Sequence, residues 1–277
     1  MAAAFFSWPA SPDVRRLVFP CVVLVAVSVV CQLVALTTVL DVTQSTTHQW
    51  FGVLDMVFIA LLLLHAFRVR HWVKWQLSVS DSSRQWIQAV STWCVLSLCL
   101  CALGDVINRN FPEKFYAYGS AIKYTHLADS VWFFFPGYAA FIMATIVAVR
   151  ASGKVSSQTL IVSTLVMVGV GALSYLDMHT PHTGVYVTAM TGVYACLISV
   201  VAVTAYWLIK AYGARAMKWV ALGAVLATAA DAIIGHFWIF REGYYPAVRH
   251  INWVVYFTSQ ALIQWLPVTL VQLTSRD

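Results

Sequence analysis

Two carboxylates occur where apolar sequence should exclude them. Asp231 lies well inside the run Leu222 to His236, and Asp105 closes the run that starts at Ser97. Small residues accompany both. Gly223, Ala227, Asp231 and Gly235 recur at four-residue steps, as do Ser97, Cys101 and Asp105. On a helix each set shares one face, so a neighbour can approach closely and the acid points into that contact rather than into lipid. Gly104 adds room for close backbone approach. A third stripe follows the same step: Asn252, Tyr256, Gln260 and Gln264. A charge at membrane depth is expensive and by default marks a functional site. Such acids can exchange protons with a reacting molecule, act as proton-linked sites in a transporter, or hydrogen-bond a lipid ligand. The structural reading is interhelical glue, worth about 0.6–2 kcal/mol per bond. Glue is preferred for Asn252 and Gln264, and function for the two aspartates. The economical arrangement turns all three stripes toward one cavity, with Asp105 and Asp231 at similar depth.

The elements that must position these groups are membrane helices. Of 277 residues, 61% are hydrophobic and 10% charged, and mean hydropathy is +0.77. A soluble domain carries about 25% charged residues. The expected fold is all-α, a polytopic bundle of about eight helices forming one transmembrane domain over 1–277. Eight spans are predicted: Leu17–Leu40, Phe51–Phe67, Trp86–Ile107, Ala128–Val149, Leu160–Leu176, Val185–Ile209, Ala216–Phe240 and Ile251–Leu273. The second and fifth read as short. The first follows Arg15 and Arg16, is longer than a signal-peptide core and is expected to be retained. The short connections predict sequential helices as antiparallel neighbours.

The net charge of +6 is spread over loops and reads as membrane orientation, not nucleic-acid binding. Arg109, Lys114, Lys123, Arg241 and Arg249 fall on one side, and the other twelve of the 17 Lys and Arg on the opposite side. Both termini are therefore expected in the cytosol. Most acids fall on the non-cytosolic side or in that half of the bilayer, which puts the polar site there. The six cysteines lie in apolar runs without a CxxC pair and read as small buried hydrophobes.

Other groups carry weaker signals. Asp177, His179 and His182 resemble a metal cluster, but Pro181 breaks the helix that would align the two imidazoles, so a solvated loop is preferred. His236 lies five residues past Asp231, at the membrane edge, and either gates the cavity or sits at the interface. His65 is expected to snorkel on the cytosolic side. Asp55 and Asp129 read as charges at helix starts favoured by the dipole, and Asp129 could also rim the site. No GxSxG elbow, P-loop or HExxH pattern occurs, and neither metal nor cofactor is expected.

In order and spacing these elements resemble the YhhN family of membrane proteins, the lysoplasmalogenases. Gly104-Asp105 is similar to the Gly-Asp pair that ends one helix of that family. Gly223-Ala224 with Ala230-Asp231 resembles its later Gly-Ala…Ser-Asp pattern, with alanine in place of serine. Tyr256, Gln260, Leu262 and Ile263 match its Tyr-x-x-x-Gln-x-Leu-Ile stretch, and Gly137 with Phe141 is similar to its Gly…Phe element. Thr145 stands where a histidine is usual, and Gln49-Trp50-Phe51 where a Lys-Pro pair is common.

The resemblance implies hydrolysis of the vinyl ether bond of a lysoplasmalogen, releasing a fatty aldehyde and a glycerophospho-headgroup. Asp105 and Asp231 would be the catalytic pair, one protonated as acid and one ionised to steady the cation and orient water. Tyr256 and Gln260 would position water or the lipid, with Asp129 and His236 as further substrate contacts. The partners are then a lysophospholipid and the bilayer; the oligomeric state has no signature in the sequence. The compartment implied is the endoplasmic reticulum in a eukaryote or the inner membrane in a bacterium. The alternatives are a non-catalytic lipid or sterol binder and a small proton-linked transporter. The transporter lacks the broken helices or repeated halves usual for that class, and a sterol-isomerase-like enzyme fits the ordered motifs less well.

Overall fold

A computed structural model describes residues 12–39, 45–76, 85–109, 125–178, 184–239 and 246–274. The described residues are almost wholly helical: α1 (Pro12–Val39), α2 (Ser45–Gln76), α3 (Gln85–Asn108), α4 (Thr125–Ser152), α5 (Ser157–Met178), α6 (Gly184–Tyr212), α7 (Ala214–Ile234), one π turn (Gly235–Ile239), α8 (Pro246–Ile263) and α9 (Leu266–Thr274). The last two form one span, with a break at Gln264 and Trp265. Among the described residues eight spans are long and apolar enough to cross a membrane, and the chain is a multi-pass membrane protein.

All eight predicted spans are present, most with longer ends, though α1 ends at Val39 and the π turn after α7 at Ile239. The 28 residues of α1 reach about 42 Å at 1.5 Å per residue, enough to cross core and headgroups. The largest difference is α2. It reads as short in the sequence but has 32 residues, because the helix continues through the basic stretch Arg68–Lys74, where Val69 and Val73 still pack into the core. This also corrects Asp55. It does not start a helix but sits ten residues inside α2, buried. Asp129 likewise lies one turn inside α4, which begins at Thr125. His65 is buried at 7% exposure rather than snorkelling.

The spans α1, α2, α3, α4, α6 and α7 form an arc, each packed on the next, and the last span closes it. Within that span α8 packs on α7 and α1, and α9 on α3, α2 and α7. It is the most buried of the eight spans, and α5 the least. The expected neighbour rule fails once. Despite a four-residue link, α5 packs on α6 rather than extensively on α4, and α4 packs on α6 instead.

The close contacts trace to glycine. A Cβ on Gly223 of α7 would lie 2.8 Å from Leu262 Cβ and 3.1 Å from the Ile263 nitrogen of α8. One on Gly137 of α4 would lie 2.8 Å from Cys101 Sγ of α3, and one on Gly171 of α5 only 2.6 Å from the Ala195 carbonyl oxygen of α6. Without a driving force from water, this backbone approach is what holds membrane helices together. The α6–α7 hairpin turns on Gly213 alone, whose φ of 92° is left-handed and favours glycine. Polar side chains add stitches. Tyr212 donates to the Ala148 carbonyl at 2.6 Å, Trp207 Nε1 to Ser163 Oγ at 2.8 Å and Gln264 Nε2 to the Cys94 carbonyl at 3.2 Å. Gln264 is thus interhelical glue, as its stripe position predicts.

Candidate active site

Because successive spans alternate in direction, the end of α1, the start of α2, the ends of α3 and α7 and the starts of α4, α6 and α8 all meet at one end of the bundle. Asp55, Asp105, Asp129 and Asp231 are all at this end.

Asp105 is buried at the end of α3. The Tyr256 hydroxyl of α8 donates to its Oδ2 at 2.7 Å, so the two stripes that carry these residues do face each other. The Phe134 ring of α4 meets Tyr256 edge-on, 6.1 Å between centroids, and lies so close over Gly104 that a Cβ there would be 3.0 Å from the ring. One turn along from Tyr256, Gln260 is fully buried and its Nε2 donates to the Tyr138 hydroxyl at 3.1 Å.

Asp231 has a different outlook. It lines a cavity of about 270 Å³ bounded by α4, α5, α6, α7 and the end of α3. The cavity occupies the region where α4 and α5 fail to close on each other. Its wall is mostly apolar, including Val131, Phe134, Ile198 and Ile234. The hydroxyls of Tyr138 and Tyr194 lie beside the Asp231 carboxylate. Neither makes a hydrogen bond of normal geometry with Oδ2, which has no partner among the described residues, and the Tyr194 hydroxyl has none either. Tyr138 and Cys101 are close enough to interact electrostatically with both Asp105 and Asp231.

The three stripes therefore do not share one opening. Asp231 faces the cavity, whereas Asp105 is covered by Tyr256, and Phe134 belongs to both sides, lining the cavity while meeting Tyr256. The reason is packing order: α4 and the last span occupy the space between α3 and α7. Asp129 lies at the rim, where the Tyr186 hydroxyl donates to it at 2.6 Å and Trp132 Nε1 donates to Tyr186 at 3.2 Å. Its neighbours Ser130 and Val131 line the cavity, but Asp129 does not. His236 falls in the π turn after Asp231, its ring edge-on to Phe237. Gly235 lines the cavity and His236 does not. Asn252 Oδ1 is buried without a partner among the described residues. His179 and His182 lie outside the described residues, as does the Asp177 side chain.

A second polar cluster was not anticipated. Arg109 Nη2 pairs with Asp55 Oδ2 at 2.6 Å, with the two side chains 11% and 1% exposed. Its guanidinium also lies 4.6 Å over the Trp253 ring. Gln32 of α1 donates to Asp55 Oδ1 at 2.7 Å, and its Oε1 meets His250 Nδ1 at 2.6 Å. Arg109 therefore does not act as an ordinary loop charge. It ties α3 to α2 four residues beyond Asp105 and its charge is felt there too. Two signals in the sequence could have found this: Gln32 as a lone amide in an apolar helix, and Asp55 as a carboxylate in an apolar run.

Searches of curated proteins and of solved structures returned no significant match. The sequence profile of the YhhN family matches residues 54–266, from the turn of α2 that carries Asp55 to the start of α9. Asp55, Asp105, Arg109, Asp231 and Tyr256 all fall within that match, and the chain belongs to the YhhN family.

Proposed function

We propose that this chain is a membrane-embedded hydrolase that cleaves the vinyl ether bond of a lysoplasmalogen. Membership of the YhhN family is consistent with such an activity. The observation that carries the reading is Asp231, a carboxylate with an unpartnered oxygen in an apolar cavity at membrane depth, with a second buried carboxylate, Asp105, held nearby by Tyr256.

In this reading the Asp231 carboxyl gives its proton to the vinyl carbon remote from oxygen. The double bond supplies the electron pair, and an oxocarbenium ion forms. Asp105 accepts the Tyr256 hydrogen bond as a carboxylate does, and its negative charge steadies the cation. Water adds to the oxocarbenium carbon and returns a proton to Asp231. The hemiacetal then collapses, the glycerol oxygen leaves as an alcohol and the aldehyde is released. One water is consumed, and the reaction needs no redox partner. The apolar wall excludes bulk water, which strengthens charge–charge effects inside the site. With both termini cytosolic, as the Lys and Arg distribution favours, the cavity opens in the non-cytosolic half of the bilayer. The membrane would be the endoplasmic reticulum or a bacterial inner membrane.

The test is aldehyde release by purified protein given lysoplasmalogen. Asp231→Asn and Asp105→Asn are each expected to lower kcat by about a hundredfold or more, with the folded fraction unchanged. Release that survives both substitutions would refute the two-carboxylate mechanism. No release by the wild type from any vinyl ether lysolipid would favour a non-catalytic lipid binder.

A further inference from the structure

The cavity holds more unsatisfied polarity than Asp231 alone. Asn108 Oδ1 from α3, the Tyr194 hydroxyl from α6 and Asp231 Oδ2 from α7 are each buried without a hydrogen-bond partner among the described residues. All three residues line the same cavity. Buried polar atoms are seldom left unpaired, so a cluster of them in one cavity points to a ligand that completes them. Their chemistry is specific. The amide oxygen accepts, a phenol both donates and accepts, and the Asp231 carboxyl donates while it holds its proton. The group that satisfies them must donate, and a hydroxyl does so while accepting from Tyr194.

At about 270 Å³ the cavity has room for a lipid's polar linkage and the chain segment beside it. It lies between α4 and α5, which make little contact with each other.

We propose that Asn108 and Tyr194 are specificity-determining residues that read the free 2-hydroxyl of a single-chain glycerolipid beside Asp231. A 2-acyl group would replace the donor with an ester that only accepts and would leave Asn108 Oδ1 unpaired. This rests on the lysolipid hydrolase reading and explains why such a site would take the lyso form only.

The test separates the two claims by using a ligand that cannot turn over. The probes are a saturated 1-O-alkyl lysophospholipid and its 2-O-methyl counterpart, titrated against purified protein with intrinsic tryptophan fluorescence as readout. The wild type should bind the free hydroxyl form roughly ten- to a hundredfold more tightly. Tyr194→Phe keeps the ring that packs near Tyr138 and should reduce that ratio severalfold. Asn108→Leu should do the same, and the double variant should bind the two probes nearly equally. A general loss of packing would weaken both probes alike and leave the ratio intact. Equal binding of both probes by the wild type overturns the proposal, as does a full ratio retained in both single variants. A hydroxyl preference without aldehyde release from the vinyl ether would uphold this assignment while the hydrolase reading fails.

Discussion

Arg109 and Asp55 give the sharpest test of how this bundle holds its polar end. A guanidinium stays protonated in any protein environment, and a charge pair in an almost closed site must be judged on two opposing terms. At 2.6 Å and an effective dielectric constant of about 20, the attraction is about 6 kcal/mol. Desolvation opposes it by several kcal/mol per ion, so the net gain is small. The asymmetry is large. Arg109→Leu leaves Asp55, 1% exposed in the wild type, with the Gln32 hydrogen bond and the more distant charge of Arg249, and should cost about 3–5 kcal/mol. The double variant Asp55→Leu with Arg109→Leu removes both charges and should recover most of that loss. The assay is the folded fraction in detergent after heating, read by size-exclusion chromatography. For a chain of this size the single variant should fall by roughly 6–20 °C, at about 2–4 °C per kcal/mol. Equal melting of the single and double variants would refute the reasoning, since the penalty would then come from lost stacking on Trp253 rather than from an orphaned charge.

Three further outcomes follow from specific contacts. Tyr256→Phe removes the donor at 2.7 Å from Asp105 and should lower kcat for aldehyde release on the order of ten- to a hundredfold while costing about 1–3 kcal/mol of stability; unchanged turnover by the folded variant would remove Asp105 from the mechanism. Gly223→Val drives side-chain atoms into the α8 backbone and should destabilise the fold by about 1–3 kcal/mol. Gly169→Ala, where an added Cβ meets nothing within 4 Å, should be neutral or stabilising by up to about 1 kcal/mol; thermal unfolding of the two should diverge in sign. Gln264→Leu should lose about 0.6–1.7 kcal/mol of stability with catalysis intact, because its amide only bridges to the Cys94 carbonyl.

The spans were legible because twenty or so apolar residues have one common use in a membrane. The stripes were legible for a related reason: a polar residue every fourth position has to face protein, so Tyr256 had to find a partner, and Asp105 is that partner. Contacts that depend on which helices are neighbours could not be read this way. Tyr194 is one of many aromatic residues in apolar sequence, and only the packing of α6 on α4 and α7 brings it beside Asp231. Charge counting places Arg109 in a loop because it asks only on which side a cation falls. It cannot register that the chain continues helically to Asn108 and folds the next side chain back onto Asp55. For Asp55 the boundary is the reason: a span that begins at Phe51 makes a buried acid look terminal, whereas α2 begins at Ser45. The separation of Asp105 from the cavity was likewise invisible, since it arises from α4 and the last span lying between α3 and α7.

The central position of the last span bears on how the protein is made. Helices emerge in order during synthesis, and N-terminal parts fold first. Until residues 246–274 enter, the arc has no centre. Asp105 lacks the Tyr256 hydroxyl, Gln32 lacks His250, Ser28 lacks the Trp253 indole, the Cys94 carbonyl lacks Gln264, and Arg109 has no ring to cover it. The half-built chain must therefore hold several polar groups in the bilayer without their final partners, and the last helix satisfies them together. Pairing of the Asp105 and Asp55 ends of the bundle is in that sense a single late event, which couples the quality of the last span's insertion to how the groups beside the cavity are held.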